Sequence, residues 1–300
     1  MWMLFAFGAL FFQALQNVID KIAIVKDKNI DSLSATFWRT FMFFMWCLIL
    51  GLTGVLGELK IFIPFPLFVF ALLYMGSAFF YTHLLKKIEI SGSSVLSYAS
   101  PFFYLIIDTI LLKTGMSTLQ VLGVILLAAG GISFALQPGK LKFREEFTPK
   151  IWLIFLYNLI LGIIEFYSFK YYFQLGSLNE ISFYTNAWLV MTLGFAIIIS
   201  FQGKWKIIAS AAKKNNYLQK TILSKGIDAV GSWFWLHAVS MVAVSRVDAI
   251  GSFFPLILLG VVYLMQNIFS FKADEELSKN NFLYKLVAII LLCIGGFLAK

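Results

Sequence analysis

Glu165 is the residue whose type and setting point most directly to chemistry. It stands near the middle of a long apolar run, with no basic residue one helical turn away. Apolar surroundings penalise a bare charge, so a carboxylate there takes a proton or pairs with a cationic group. Asn158, Gly162 and Glu165 share one helical stripe at i, i+4 and i+7. Near the N-terminus Gln13, Gln16, Asn17 and Asp20 make a similar polar stripe. The two histidines each close a run of three aromatics, "FFYTH" at 79–83 and "WFWLH" at 233–237. Imidazole titrates near neutral pH. The aromatics at i−4 and i−3, Phe79 with Phe80 and Trp233 with Phe234, share its helical face and offer stacking or cation–π surfaces.

Taken together, Glu165, Gln16, Asn17, Asp20, His83, His237, Trp233, Tyr98 and Asn158 form an expected binding set for a small polar or amphipathic molecule. Two plainer readings compete with it. Buried amides also staple helices by interhelical hydrogen bonds, each contributing about 1 kcal/mol. The aromatic–histidine runs also fit a packing unit kept in two places. Asp228 is half a helical revolution from His237 and three residues from Lys225, so a local Lys225–Asp228 ion pair is expected. Pro101 and Pro255 free backbone carbonyls and are expected hinges. Lys21, Lys170 and Arg39 lie toward the ends of apolar runs, from which long side chains can snorkel to water. The metalloprotease, nucleophile-elbow and phosphate-loop patterns are absent from the sequence, as is any Cys/His cluster with metal-ligand spacing. No enzyme, cofactor or metal is expected.

The elements that must position these residues follow from composition. Sixty per cent of the 300 residues are hydrophobic and 13% charged, with a mean hydropathy of +0.86. A soluble domain carries roughly one quarter charged residues. The chain reads as an integral membrane protein, with its first apolar run a retained span. A span needs about 20 apolar residues, and ten stretches qualify: 2–25, 32–53, 63–87, 90–113, 116–137, 150–174, 178–202, 221–243, 245–270 and 281–299. Cys47 and Cys293 lie inside apolar runs and read as small hydrophobes. The net charge of +9 sits on lysines and arginines between the runs, where it marks topology and meets anionic lipid, not nucleic acid.

The stretches repeat. A shift of 154 residues superposes His83 on His237, Phe80 on Phe234, Ser91 on Ser245 and Pro101 on Pro255. A shift of 149 superposes Lys21 on Lys170, Asp31 on Glu180 and Gln16 on Glu165. The glycine pairs Gly130–Gly131 and Gly295–Gly296 also correspond, and allow close helix packing. Five spans per half would send the second half through the membrane in the opposite direction. The expected fold is all-α: ten transmembrane helices as two inverted five-helix repeats, 1–137 and 150–300, joined by a linker at 138–149. Transporters use this architecture, with the site at the repeat interface.

The stretches "QNVIDKIAI", "TFWRTF" and "SSVLSYASPFFYLIIDTILLKTGMSTLQVLGVILLAAGGI" make the chain resemble the drug/metabolite transporter superfamily, specifically its ten-helix EamA-type members. The resemblance implies a central cavity ringed by spans 1, 3, 4, 6, 8 and 9. It departs at "LLKTG", where the family usually carries a glutamate, so that residue's role is not carried over. It also implies both termini inside. The basic residues cluster in the connectors after spans 1, 3, 5, 7 and 9, and by the positive-inside rule this puts both termini outside. The resulting expectation is a secondary transporter of the cell (inner) membrane that moves an amino-acid-like or amine metabolite by alternating access, in the export direction, with coupled protons. Uptake of a cationic amine is one alternative; a lipid-handling or other non-transport membrane protein is another. The expected assembly is a monomer, or a homodimer through spans 5 and 10.

Overall fold

The computed structural model describes residues 1–25, 30–85, 100–111, 113, 115–135, 149–214, 216–269 and 282–299. Among them the regular elements are helices. We label them α1 (Trp2–Val25), α2 (Ser32–Leu52), α3 (Phe65–Leu85), α4 (Ser100–Ile106), α5 (Thr118–Ala135), α6 (Pro149–Gln174), α7 (Glu180–Phe201), α8 (Trp205–Ala212), α9 (Tyr217–Met241), α10 (Val244–Ile250), α11 (Phe254–Phe269) and α12 (Phe282–Leu298). Three segments are long and apolar enough to cross a membrane: Trp2–Asp20, Ser32–Leu52 and Glu180–Phe201. A fourth crossing arises if α10 and α11 are taken as one span, bent by 41° between Val244–Phe253 and Leu256–Met265. Shorter apolar stretches lie at Phe65–Phe80, Thr118–Gly130 and Val287–Leu298.

Local chemistry sets several boundaries. The α6 helix ends where Gly176 takes φ +64°, with its N–H on the Phe173 carbonyl and the Ser177 N–H on the Tyr172 carbonyl. That double bond is a Schellman cap, which favours glycine because a Cβ opposes positive φ. Asn179 then starts α7 by accepting the Ser182 N–H at 2.9 Å. The α4 helix runs on into a π-helical segment, Ile107–Leu111, an arrangement frequent at functional sites. The break between α10 and α11 is a 3₁₀ turn, Gly251–Phe253, and Pro255 follows it. Proline has no N–H to give the turn before it, and its ring clashes with the carbonyl four residues back, so the helix bends there.

The chain divides into two compact units. One comprises Met1–Ala14, Glu89–Leu159 and Met241–Lys300; the other comprises Leu15–Ile88 and Ile160–Ser240. In the first, α5 packs along α12 and α4 along α10. A Cβ on Gly123 would lie 2.4 Å from the Ala299 nitrogen, and one on Gly295 would lie 2.7 Å from the Leu127 nitrogen. Those glycines therefore let two backbones approach where lipid-like side chains supply little drive of their own. Asp108, fully buried in the π segment, accepts the Ser245 N–H at the start of α10, at 2.7 Å.

In the second unit α2 packs on α7 and α3, and α3 on α7. The extended segment after α2 is tied to the polar face of α7. Asn179 and Ser182 side chains donate to the Glu58 carbonyl, Asn186 donates to the Lys60 carbonyl, and Asn186 Oδ1 accepts the Phe62 N–H. Positions 179, 182 and 186 fall on one helical face, so one polar stripe satisfies a length of extended backbone.

Candidate functional site

The second unit buries a cluster of charges. Asp20, on α1, is 1% exposed and accepts hydrogen bonds from Gln16, Arg39 and Ser224. The Arg39 guanidinium lies 2.6 Å from its carboxylate and the Lys225 ammonium 3.3 Å. Lys225 also pairs with Asp228 at 2.7 Å, and Arg39 donates to Thr82 on α3. Four helices thus meet in one polar network: α1, α2, α3 and α9. Among the described pairs, Asp20 and Asp228 stand against Arg39 and Lys225. Balance matters because each unmatched ion away from water costs several kcal/mol.

The Lys225–Asp228 pair is the one expected from spacing, and the Gln16–Asp20 bond follows from their i, i+4 stripe. Arg39 does not snorkel. It is buried, and its head turns into the protein because Asp20 provides a bidentate-capable acceptor there. The wider network spans separations of 19 and 204 residues, beyond the reach of local spacing.

Glu165 is a second buried carboxylate in the same unit, 6% exposed. Its one hydrogen bond among the described residues comes from the Tyr184 hydroxyl, at 3.1 Å. That tyrosine is buried among rings: Trp188 at 5.1 Å, Phe43 at 5.8 Å and Phe183 at 5.9 Å. Tyr74 lies against Trp188 at 5.4 Å. No cation pairs with Glu165 among the described residues. Glu165 is thus buried beside a hydroxyl and a group of aromatic rings. Its partner tyrosine carries no sequence signal, because a single Tyr in an aromatic-rich helix is unremarkable by type.

His237 occupies the last turns of α9, which runs from Tyr217 to Met241. Its Nδ1 lies 2.8 Å from the Glu180 carboxylate in the first turn of α7. The Trp233 ring stacks on the imidazole at 5.1 Å and 13°, the shared face that the i−4 spacing predicts. Asn17 is half-buried and makes further contacts. Pro101 falls in α4 and is buried. Pro255 stands at the bend described above. Tyr98 and the side chains of His83, Asn158 and Lys21 lie outside the described residues.

Long apolar helices enclosing a charged, hydrogen-bonded interior define a multi-pass helical membrane protein. Residues 1–136 match the EamA-like transporter family. That family is part of the drug/metabolite transporter superfamily of membrane transporters, and the match covers the first 136 of the 300 residues. A protein of known crystal structure shares the fold at a TM-score of 0.64 and 15% identity, over 100% of this chain and 96% of that one. No protein of curated function matches the chain in sequence.

Proposed function

We propose that the protein is a secondary active transporter of the cell (inner) membrane, moving a small polar or amphipathic metabolite outward by alternating access. Glu165 is the group that exchanges a proton or a cationic substrate. The observation that carries this reading is the contrast among buried carboxylates in one unit. Asp20 and the half-buried Asp228 face Arg39 and Lys225, whereas among the described residues Glu165 has a tyrosine hydroxyl and no cation. A buried carboxylate without a cation is stable when it holds a proton or a ligand's charge, and loading and unloading that charge couples it to transport.

Ten crossings as two inverted repeats remain part of the proposal, and two observations support them. Each compact unit draws equivalent segments from both halves of the chain. In each, equivalent helices pack on one another, α2 on α7 and α5 on α12, as a twofold relation between halves requires. The π segment after α4 and the bend at Pro255 supply irregular backbone where alternating access needs hinges. The rings of Tyr184, Trp188 and Tyr74 favour, as a second reading, uptake of a cationic amine whose charge Glu165 would neutralise.

Glu165→Gln tests both. The amide keeps the shape and still accepts from Tyr184, but holds no exchangeable charge. In proteoliposomes carrying an imposed pH gradient, metabolite flux driven by that gradient should be lost while the protein still folds. Gradient-driven flux at the level of the unsubstituted protein would overturn the role of Glu165. Residual binding of amines but not of neutral metabolites by the unsubstituted protein separates the second reading from the first.

A further inference from the structure

The connector between α7 and α9 carries a feature that transport does not use. From residue 201 to 220 the chain holds five lysines, Lys204, Lys206, Lys213, Lys214 and Lys220, and no acidic residue. It is not an open loop. The α8 helix (Trp205–Ala212) forms within it and docks through Ile208 and Ala211, which are buried. Trp38 of α2 donates its indole N–H to the Ile208 carbonyl at 2.9 Å, and the Phe37 ring meets Trp205 edge-on at 5.6 Å. Trp205 donates in turn to Ser200 Oγ at 3.0 Å, fixing the helix to the end of α7.

With one face so held, the other is turned outward, and it is not an ordinary solvated face. Trp205 is 44% and Ile207 50% exposed, beside exposed Lys206. Exposed Lys213 follows the helix, and half-buried Lys204 precedes it. A short amphipathic helix with an aromatic–aliphatic outer face and lysines at both ends has the chemistry of a segment lying in the headgroup layer. Tryptophans concentrate at that level, and clustered lysines without acids select anionic phosphate-bearing heads over zwitterionic ones.

We propose that α8 and its flanking lysines form an anionic-phospholipid headgroup site on the membrane surface. The occupant is an anionic glycerophospholipid of the leaflet that α8 faces, its phosphate held by Lys204, Lys206 and Lys213 and its glycerol region against Trp205 and Ile207. The proposal rests on the chain being a membrane protein and is independent of Glu165.

The purified protein should unfold at a higher temperature in mixed micelles containing phosphatidylglycerol than in phosphatidylcholine alone, and high salt should reduce the difference. K204Q/K206Q/K213Q, two changes at exposed positions and one at a half-buried one, should leave the midpoint in phosphatidylcholine unchanged and abolish the phosphatidylglycerol rise. Equal stabilisation of the triple variant and the unsubstituted protein by phosphatidylglycerol would overturn the site, as would no preference between the lipids. Stabilisation by inorganic phosphate equal to that by phosphatidylglycerol would show a free-anion site instead and also overturn it. A second measurement needs no lysine change. A spin label at position 207, in a variant with Cys47 and Cys293 replaced by serine, should collide more with oxygen than with a water-soluble nickel reagent in anionic bilayers. The reverse preference would place α8 in water and remove the proposal.

Discussion

Asp20 on α1 and Glu165 on α6 are both buried carboxylates. Their neighbours differ in kind. Around Asp20, α2 contributes Arg39 and α9 contributes Ser224 and Lys225, so its oxygens are saturated by donors of which two are charged. Around Glu165, α7 contributes a tyrosine hydroxyl amid aromatic rings. A residue that is buried and fully paired is expensive to disturb and has nothing left to exchange. One that is buried and half-paired is cheap to neutralise and retains a free valence for a proton or ligand. Burial alone does not mark a working group; the number of fixed counter-charges does.

The comparison predicts its largest effect at Asp20. Asp20→Asn takes from Arg39 and Lys225 the carboxylate they share, and removing one partner of a buried charge pair costs about 3–5 kcal/mol. Denaturant or thermal unfolding in detergent reads the loss. The double variant Asp20→Asn with Arg39→Met leaves the Lys225–Asp228 pair in balance, so it should recover most of the stability lost by the single change. Losses that simply add would show that charge balance is not what holds the network.

Next in size is Tyr184→Phe. It removes the described donor to Glu165 without opening space, leaving that buried acceptor bond unmade at about 1–3 kcal/mol. Glu165→Gln keeps that hydrogen bond and removes only the ionisable group, so it should change stability by less than about 1 kcal/mol. The sharp outcome is the pair of ratios: Asp20→Asn destroys stability and with it flux, whereas Glu165→Gln abolishes gradient-driven flux with the fold intact. If Glu165→Gln unfolds the protein as Asp20→Asn does, the two sites are alike and the comparison fails.

What the sequence made legible is what period and spacing can carry. Hydropathy located α1, α2 and α7 to within a few residues. Helical spacing gave the Gln16–Asp20 bond, the Lys225–Asp228 pair and the stacking of Trp233 on His237. The cross-helix choices were not legible. Asp20 lies 19 residues from Arg39, a separation that spacing does not pair, and tertiary packing brings them together. Ser224 looks like any helical serine until α9 lies against α1. The strap from Glu58 to Phe62 on Asn179, Ser182 and Asn186 is a pairing of backbone with a side-chain stripe, for which composition gives no cue. Helix placement is a local property, whereas ion-pair partnership belongs to the packed chain.

The smallest effect is expected at the third carboxylate, Glu180. Its partner His237 has a side chain 29% exposed, so solvent screens their interaction. Glu180 also stands in the first turn of α7, where free backbone N–H groups and the helix dipole already favour a negative charge. His237→Phe keeps a ring for Trp233 to stack on and removes both ring nitrogens, the Nδ1 that meets Glu180 among them. It should cost about 0.5 kcal/mol. His237→Ala removes the ring as well, adding the loss of an aromatic stack of about 0.5–1.5 kcal/mol. Thermal unfolding of the two variants side by side separates ionic partner from ring. A phenylalanine variant as damaged as Asp20→Asn would mean that Glu180 depends on its counter-charge as a buried acid does, and would move this pair to the structural side of the comparison.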